Sequence, residues 1–275
     1  MTAERLDTRF AALASEGRAG FVAYVMAGDP DRETASAILA GLPGAGADII
    51  ELGLPFSDPV ADGPTIQKAA IRALGEGMTL DGALAMVREF RQADAITPIV
   101  LMGYLNPLLT FGLGAFARAA AEAGADGLIV VDCPPEEAGP LADALEAEDL
   151  ALIRLATPTT DEARLKIVAS RTRGFVYYVS VAGVTGGKEA DADAIAPAVN
   201  RVRRASGLPV AVGFGIRTPE RAAQIARVAD AAVVGSALVD EIAAAIAQNR
   251  DPVAKVLDTA ANIAMAVHAA RMRAD

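Results

Sequence analysis

Apolar and polar positions along this chain follow two periods that take turns. Short β-branched or apolar runs occupy 20–27, 48–53, 97–104, 126–132, 150–157, 174–181, 209–215 and 230–237. Between them, amphipathic and Ala-rich segments with helical spacing cover 32–45, 65–75, 80–92, 113–124, 135–148, 160–171, 191–206 and 218–228. A longer helical tail follows the eighth run, and the opening segment MTAERLDTRFAALASEG is itself amphipathic. Most of the runs are apolar on both faces, as parallel strands covered by helices must be. Several are introduced by Gly-Ala-Asp or a near equivalent (44–48, 123–126, 228–230), which fits a tight return from helix to strand. This pattern predicts an α/β fold: a single (β/α)8 barrel domain over residues 1–275, with an extra N-terminal helix. A doubly wound open sheet is the alternative, but the first strand–helix turn, MAGDPDRET, has no G-x-G-x-x-G.

One run breaks the apolar rule. In IELGLPFSDPVADGPT (50–65), Glu51 stands in the middle of a buried-strand pattern, and the loop after it holds two aspartates, Asp58 and Asp62. Period-two alternation sets Glu51 opposite Ile50 and Leu52, so Glu51 faces the barrel interior if those two face the helices. In a barrel of this kind the active site lies at the C-terminal ends of the strands. Glu51 then reads as a general acid/base whose pKa an apolar mouth would raise, or as a carboxylate binding backbone amides. Asp62 reads as a second carboxylate facing the same ligand, or as a helix N-cap before Pro64 and Thr65; Asp58 shapes the turn.

Composition narrows the chemistry. The chain has 53% hydrophobic residues and a net charge of −10, enough for a large core and unlike a nucleic-acid binder. No apolar run reaches the roughly 18 residues of a membrane span, no secretory signal is evident, and the single cysteine, Cys133, forms no internal disulfide; a cytoplasmic location is expected. With one Cys and one His (His268, read as a surface helix residue), no metal site of the usual zinc type is expected. The four lysines, at 68, 166, 188 and 255, all lie outside the strand runs, which argues against a Schiff-base aldolase and against isomerases or cyclases that use a strand-end lysine. Asp132 and Cys133, at the end of the fourth run, read as an N-cap and a buried thiol. Glycine-rich segments follow the last three strands: AGVTGGK (182–188), GFGIRTPE (213–220) and GSALVDEI (235–242). Gly215, Gly235 and Ser236 stand where strands end and helices begin, suiting a phosphate dianion. Tyr104 and Phe214, at strand ends, are placed to wall a pocket for a flat ring.

The motifs IELGLPFSDPVADGPTIQ (50–67), MGYLNPLLTFG (102–112), DGLIVVDCPPEE (126–137), YVSVAGVTG (178–186), VGFGIRTPE (212–220) and VVGSALV (233–239) run in order across nearly the whole chain. Together they resemble the tryptophan synthase alpha subunit family. The resemblance implies cofactor-free retro-aldol cleavage of indole-3-glycerol phosphate to indole and glyceraldehyde 3-phosphate. It implies Glu51 as catalytic acid/base, Asp62 as the group binding the indole N–H, and Tyr177 near the substrate. It also implies Thr185 on the loop after the sixth strand, orienting the aspartate, Gly186 with Gly215, Gly235 and Ser236 at the phosphate, and Tyr104 and Phe214 on the pocket wall. Val181 departs from members that carry arginine there. The implied partner is a pyridoxal-phosphate beta subunit in an alpha2–beta2 heterotetramer, meeting Pro55, Phe56, Ser57, Asp58 and Pro59. A catalytically idle barrel serving only as an activator is the non-enzymatic alternative, which the intact Glu51 and Asp62 disfavour.

Overall fold

The computed structural model describes residues 3–180, 192–213 and 215–272. Eight parallel strands close in sequence order into one barrel: β1 (Gly20–Met26), β2 (Ile49–Gly53), β3 (Ile99–Gly103), β4 (Gly127–Val130), β5 (Ala151–Ala156), β6 (Val176–Val179), β7 (Val210–Gly213) and β8 (Ala231–Val234). Around them, in chain order, lie α1 (Glu4–Ser15), α2 (Arg32–Gly41), α3 (Pro64–Gly75), α4 (Leu80–Arg91), α5 (Leu105–Phe111), α6 (Leu113–Ala123), α7 (Gly139–Ala147), α8 (Glu162–Ala169), α9 (Ala192–Ser206), α10 (Pro219–Val228), α11 (Ser236–Ala247) and α12 (Pro252–Ala269). No described helix is long and apolar enough to cross a membrane.

Three elements differ from the sequence expectation. Helix α5 fills a stretch in which no helix was expected; its Pro107 falls in the first turn, where the missing N–H costs nothing. The eighth strand stops at Val234, and Ser236 already belongs to α11. The helical tail is two helices, broken before Asp251, whose carboxylate caps α12 by accepting the Val253 amide, with Pro252 in the first turn.

The sheet divides the core in two. Val22, Ile49, Val100, Ile129, Ala151, Ile153, Phe175, Ala211 and Val233 point inward and form one apolar cluster with Leu6, Phe10 and Leu13 of α1. Helix α1 therefore plugs the lower end of the barrel, Phe10 lying 5.6 Å (ring centroids) from Phe175. Alternate residues such as Ile50, Leu52, Leu101 and Leu128 pack outward beneath the helices.

The recurring aspartates before strands staple the lower rim. Asp48, just before β2, accepts the Phe21 amide of β1 at 2.9 Å; Asp126, before β4, accepts the Ile99 amide of β3 at 2.7 Å; Asp230, before β8, accepts the Val210 amide of β7 at 2.8 Å. Each carboxylate also meets arginine: Arg18 on Asp48, Arg91 and Arg5 on Asp126, Arg203 on Asp230. His268 of α12, expected at the surface, instead places Nε2 2.9 Å from Asp48, tying the C-terminal helix to the second strand.

Burial alone would raise the Asp48 carboxyl, yet hydrogen bonds from His268, Arg18 and the Phe21 amide outweigh it and hold it at about 2. A depressed folded pKa means that its stabilisation is present above the ordinary carboxylate range and is lost as pH falls toward about 2. Asp48→Ala is expected to cost about 3 kcal/mol at neutral pH, because it strands a buried amide and the cations around it. Asp48→Asn, which keeps an acceptor for Phe21, should cost less. Urea unfolding measures both, and a loss below about 1 kcal/mol for the alanine variant would show the staple to be dispensable.

Candidate active site

Glu51 occupies the third position of β2, in register with Tyr24 of β1 and Val100 of β3. Ile49, two residues before it, belongs to the interior cluster, so the alternation carries Glu51 inward as the sequence suggested. The side chain is 1% exposed and its Oε1 has no hydrogen-bond partner among the described residues. This excludes the reading in which Glu51 serves to bind backbone amides through both oxygens. Desolvation raises its pKa to about 8, so the carboxyl is protonated in neutral solution.

Tyrosines surround it. Burial raises the phenols of Tyr24 and Tyr177 well above their ordinary value; the charges of Asp62 and Glu51 add to the first, and that of Glu51 to the second. Tyr24 thus lies within electrostatic reach of both carboxyls. Two glycines make room for these rings. A Cβ on Gly53 would come within 2.3 Å of the Tyr24 hydroxyl, and one on Gly213 within 2.0 Å of the Tyr177 hydroxyl. Side chains at the ends of β2 and β7 would drive both phenols out of place.

Asp62 lies in the loop between β2 and α3, half-buried. It is not the helix cap: Gly63 takes that place, with no side-chain cap bond. The Tyr104 hydroxyl accepts the Ala61 amide at 3.0 Å, which sets it beside Asp62. Burial raises Asp62 to about 6, the Tyr104 hydroxyl partly offsetting it, so Asp62 is mostly ionised where Glu51 is protonated. Sequence reasoning placed Tyr104 on the pocket wall and missed this bond. It also missed Gln67, whose Nε2 donates to the Asp62 carbonyl at 2.9 Å and fixes the loop. The signal was present in GPTIQ, one helical turn after the aspartate.

Turns are formed at the ends of β7 and β8, the two places named above for Gly215 and Gly235. Gly215 has φ +78°, a left-handed conformation that favours glycine. Gly235 precedes the first residue of α11, no side chain caps that helix's first amides, and Ser236 is half-buried beside them. An uncapped helix N-terminus offers donors to an anion. A Cβ on Gly235 would approach the Tyr24 ring to 3.1 Å, so the turn also abuts the tyrosine beside Glu51. Val181, Thr185, Gly186 and Phe214 lie outside the described residues.

In the loop after β2, Ser57 and Asp58 are exposed and hydrogen-bonded to each other at 2.6 Å, while Pro55 and Pro59 are half-covered. Phe56 is half-buried, its ring 5.2 Å from Tyr104. Phe56 also lines a groove of about 410 Å³ with Leu80, Asn106, Pro107, Thr110 and Phe111. Two readings of the fourth strand end need correction. Asp132 caps α5, accepting the Leu105 amide at 2.8 Å across the neighbouring loop, and Cys133 is only half-buried.

A raised folded pKa has a stability consequence. Between its ordinary value of 4.5 and about 8, Glu51 releases its proton in the unfolded chain and keeps it in the folded one. Stability therefore falls as pH rises through that window. Glu51→Gln should be more stable than the native chain, by an amount that grows by about 3.5 kcal/mol from about pH 5 to about pH 8. Thermal unfolding at the two pH values tests this; a pH-independent difference would mean that Glu51 ionises freely.

The family described as tryptophan synthase alpha chain matches residues 10–268. Tryptophan synthase alpha chains of Phenylobacterium zucineum (strain HLK1) and Caulobacter sp. (strain K31) are 71% and 68% identical over 98% and 99% of this chain, covering the same shares of their own lengths. Among solved structures, tryptophan synthase subunit alpha from Legionella pneumophila str. Paris superposes with a TM-score of 0.90 at 40% identity, over 96% of this chain and 98% of that one. A chain of Mycobacterium tuberculosis tryptophan synthase superposes with a TM-score of 0.87 at 38% identity, over 96% and 98%.

Proposed function

The chain belongs to the tryptophan synthase alpha chain family, and from that premise we propose that Glu51 and Asp62 divide the chemistry of its reaction between them. That reaction is the lyase cleavage of indole-3-glycerol phosphate in tryptophan biosynthesis, a retro-aldol split into indole and glyceraldehyde 3-phosphate. The observation that carries the assignment is the divergence of two carboxyls at one barrel mouth: Glu51 raised to about 8 and Asp62 to about 6. In the window between, one is an acid and the other an anion, which is the division of labour the cleavage needs.

The proton of Glu51 goes to indole C3, and the positive charge that develops at the ring nitrogen is met by the Asp62 carboxylate. Glu51, now ionised, takes the proton from the hydroxyl on the carbon attached to C3. Those oxygen electrons form the aldehyde, the carbon–carbon bond breaks, and its electron pair restores the neutral indole ring. Glu51 ends protonated, so the cycle balances without water or a redox partner. Placed acid/base catalysis of this kind contributes about 10²–10⁴-fold. Tyr177, Tyr104 and Phe214 wall the ring. Gly186, Gly215, Gly235 and Ser236 hold the phosphate, where backbone amides and the α11 dipole favour a dianion. Thr185 helps to orient Asp62.

This chain uses no cofactor of its own in this reading. Its partner is a pyridoxal-phosphate beta subunit in an alpha2–beta2 complex, which receives indole. The groove beside Phe56 and the exposed Ser57–Asp58 tip support the loop at 55–59 as the contact. The ring contact of Phe56 with Tyr104, whose hydroxyl accepts the amide of Ala61 next to Asp62, supplies a short physical route from that contact to the catalytic carboxylate.

Two experiments test the reading. In steady-state indole release, kcat/KM should fall above about pH 8 as Glu51 loses its proton; activity still rising at about pH 9.5 would remove Glu51 as the acid. Glu51→Gln should lower kcat by about 100-fold or more while glycerol phosphate still binds. The acid limb is better read by carbon-13 NMR titration of Asp62 in the free protein, because a phosphate monoester also titrates near pH 6. The second experiment replaces Pro55 and Phe56 together by alanine. It should weaken both binding to a cognate beta subunit and the rate increase that binding brings. Undiminished binding and acceleration would place the coupling surface elsewhere.

A further inference from the structure

One carboxylate in the structure joins three strand-end segments of the site, and no part of the reading above uses it. Asp240 lies on α11, four residues after Ser236 and so on the same helix face. Its Oδ1 accepts the Thr65 hydroxyl at 3.0 Å, and its Oδ2 pairs with the Arg217 guanidinium. Thr65 is the second residue of α3, three residues after Asp62. Arg217 follows Gly215 by two residues in the loop after β7. The Asp62 segment, the Gly215 turn and the helix that opens at Ser236 therefore meet at a single side chain.

We propose that Asp240 is a positioning residue for the cleavage: through Thr65 it fixes the Asp62 segment relative to the phosphate turns, and through Arg217 it fixes those turns to each other. The proposal rests on the assignment of Asp62 and the phosphate turns made above. Substrate spans from ring to phosphate, so the distance between those two anchors decides whether C3 arrives at the acid. Misplacement on the order of 1 Å is enough to slow such a step by tens- to a hundredfold. The backbone leaves this distance loosely set, because the three segments come from strands two, seven and eight and each is closed by its own local bonds. Gln67 holds Asp62 to its own helix, and the Gly235 carbonyl holds the start of α11. Thr65 and Asp240, 175 residues apart, make the bond between them.

Charge gives the arginine its place. A carboxylate one turn from a phosphate-binding helix end would oppose an incoming dianion, and Arg217 neutralises it. The Arg217 and Asp240 side chains are 54% and 40% exposed, so the pair adds little to overall stability. Its loss is therefore readable in kinetics without unfolding the protein.

The experiment measures indole release and glycerol phosphate affinity in the full-length chain for T65V, T65S, R217A, D240A and the T65V/D240A pair. T65V, which keeps shape and loses the hydroxyl, should lower kcat about tenfold with glycerol phosphate affinity unchanged, and T65S should restore kcat. R217A should weaken glycerol phosphate binding several-fold with a smaller effect on kcat. D240A should show both losses, and T65V should add nothing to it. Melting temperatures should stay close to that of the native chain, separating positioning from a structural defect. Native kcat in T65V, failure of T65S to restore it, or additive losses in the pair would overturn the proposal. D62N separates the two levels: inactive D62N beside fully active T65V rejects the network alone, whereas fully active D62N rejects the assignment on which it rests.

Discussion

Closing eight strands on themselves sends every second side chain of each strand into an interior that water does not share, and the chemistry of Glu51 depends on that constraint. The same residue on an open, solvated sheet would titrate like any glutamate. Desolvation raises it with no cation or donor among the described residues to oppose it, and the carboxyl keeps its proton to about pH 8. Asp62 lies half-buried at the rim beside the Tyr104 hydroxyl and is displaced much less. A fold that separates a dry interior from a half-wet rim has thereby turned two chemically similar groups into an acid and an anion.

The contrast with the lower rim shows that this is not how the molecule treats carboxylates in general. Asp48 and Asp126 are as deeply covered as Glu51, yet each accepts a backbone amide and meets arginine. Buried carboxylates that take an amide and an arginine hold strands in register, although burial still lifts Asp126 to about 6; a buried carboxyl with an unsatisfied oxygen, such as Glu51, is retained at a cost in stability. The two ends of the barrel are specialised accordingly. Helix α1 and its arginines seal the bottom, and at the top Gly53, Gly213 and Gly235 make room for tyrosine rings.

Function at the top is assembled from segments that approach one another only across the barrel mouth. Tyr104 reaches the Ala61 amide beside Asp62 from the end of β3, Phe56 lies on Tyr104 from the loop after β2, and Asp240 reaches Thr65 from α11. Contacts of this sort couple the geometry of one loop at the mouth to that of the next.

The sequence by itself determined the strands, their parallel order and the inward direction of Glu51. These are consequences of local periodicity: two residues per strand repeat, apolar on both faces, with one carboxylate out of pattern. It also determined that Gly215 and Gly235 close turns at strand ends, because backbone geometry there is local as well. It left Asp62 open between a ligand-facing carboxylate and a helix cap, read Asp132 as an N-cap without the helix it serves, and read His268 as a surface helix residue. What it lacked in each case was a contact with a group far along the chain. The Tyr104–Ala61 bond beside Asp62 spans 43 residues, the Asp132–Leu105 bond 27 and the His268–Asp48 contact 220. Only barrel closure brings such groups together, and only closure decides how much water each retains. Identity and direction of the Glu51 side chain are written in the strand pattern, whereas its pKa and the partners that position its neighbours belong to the tertiary structure, because desolvation and long-range hydrogen bonds have no local signature in the sequence.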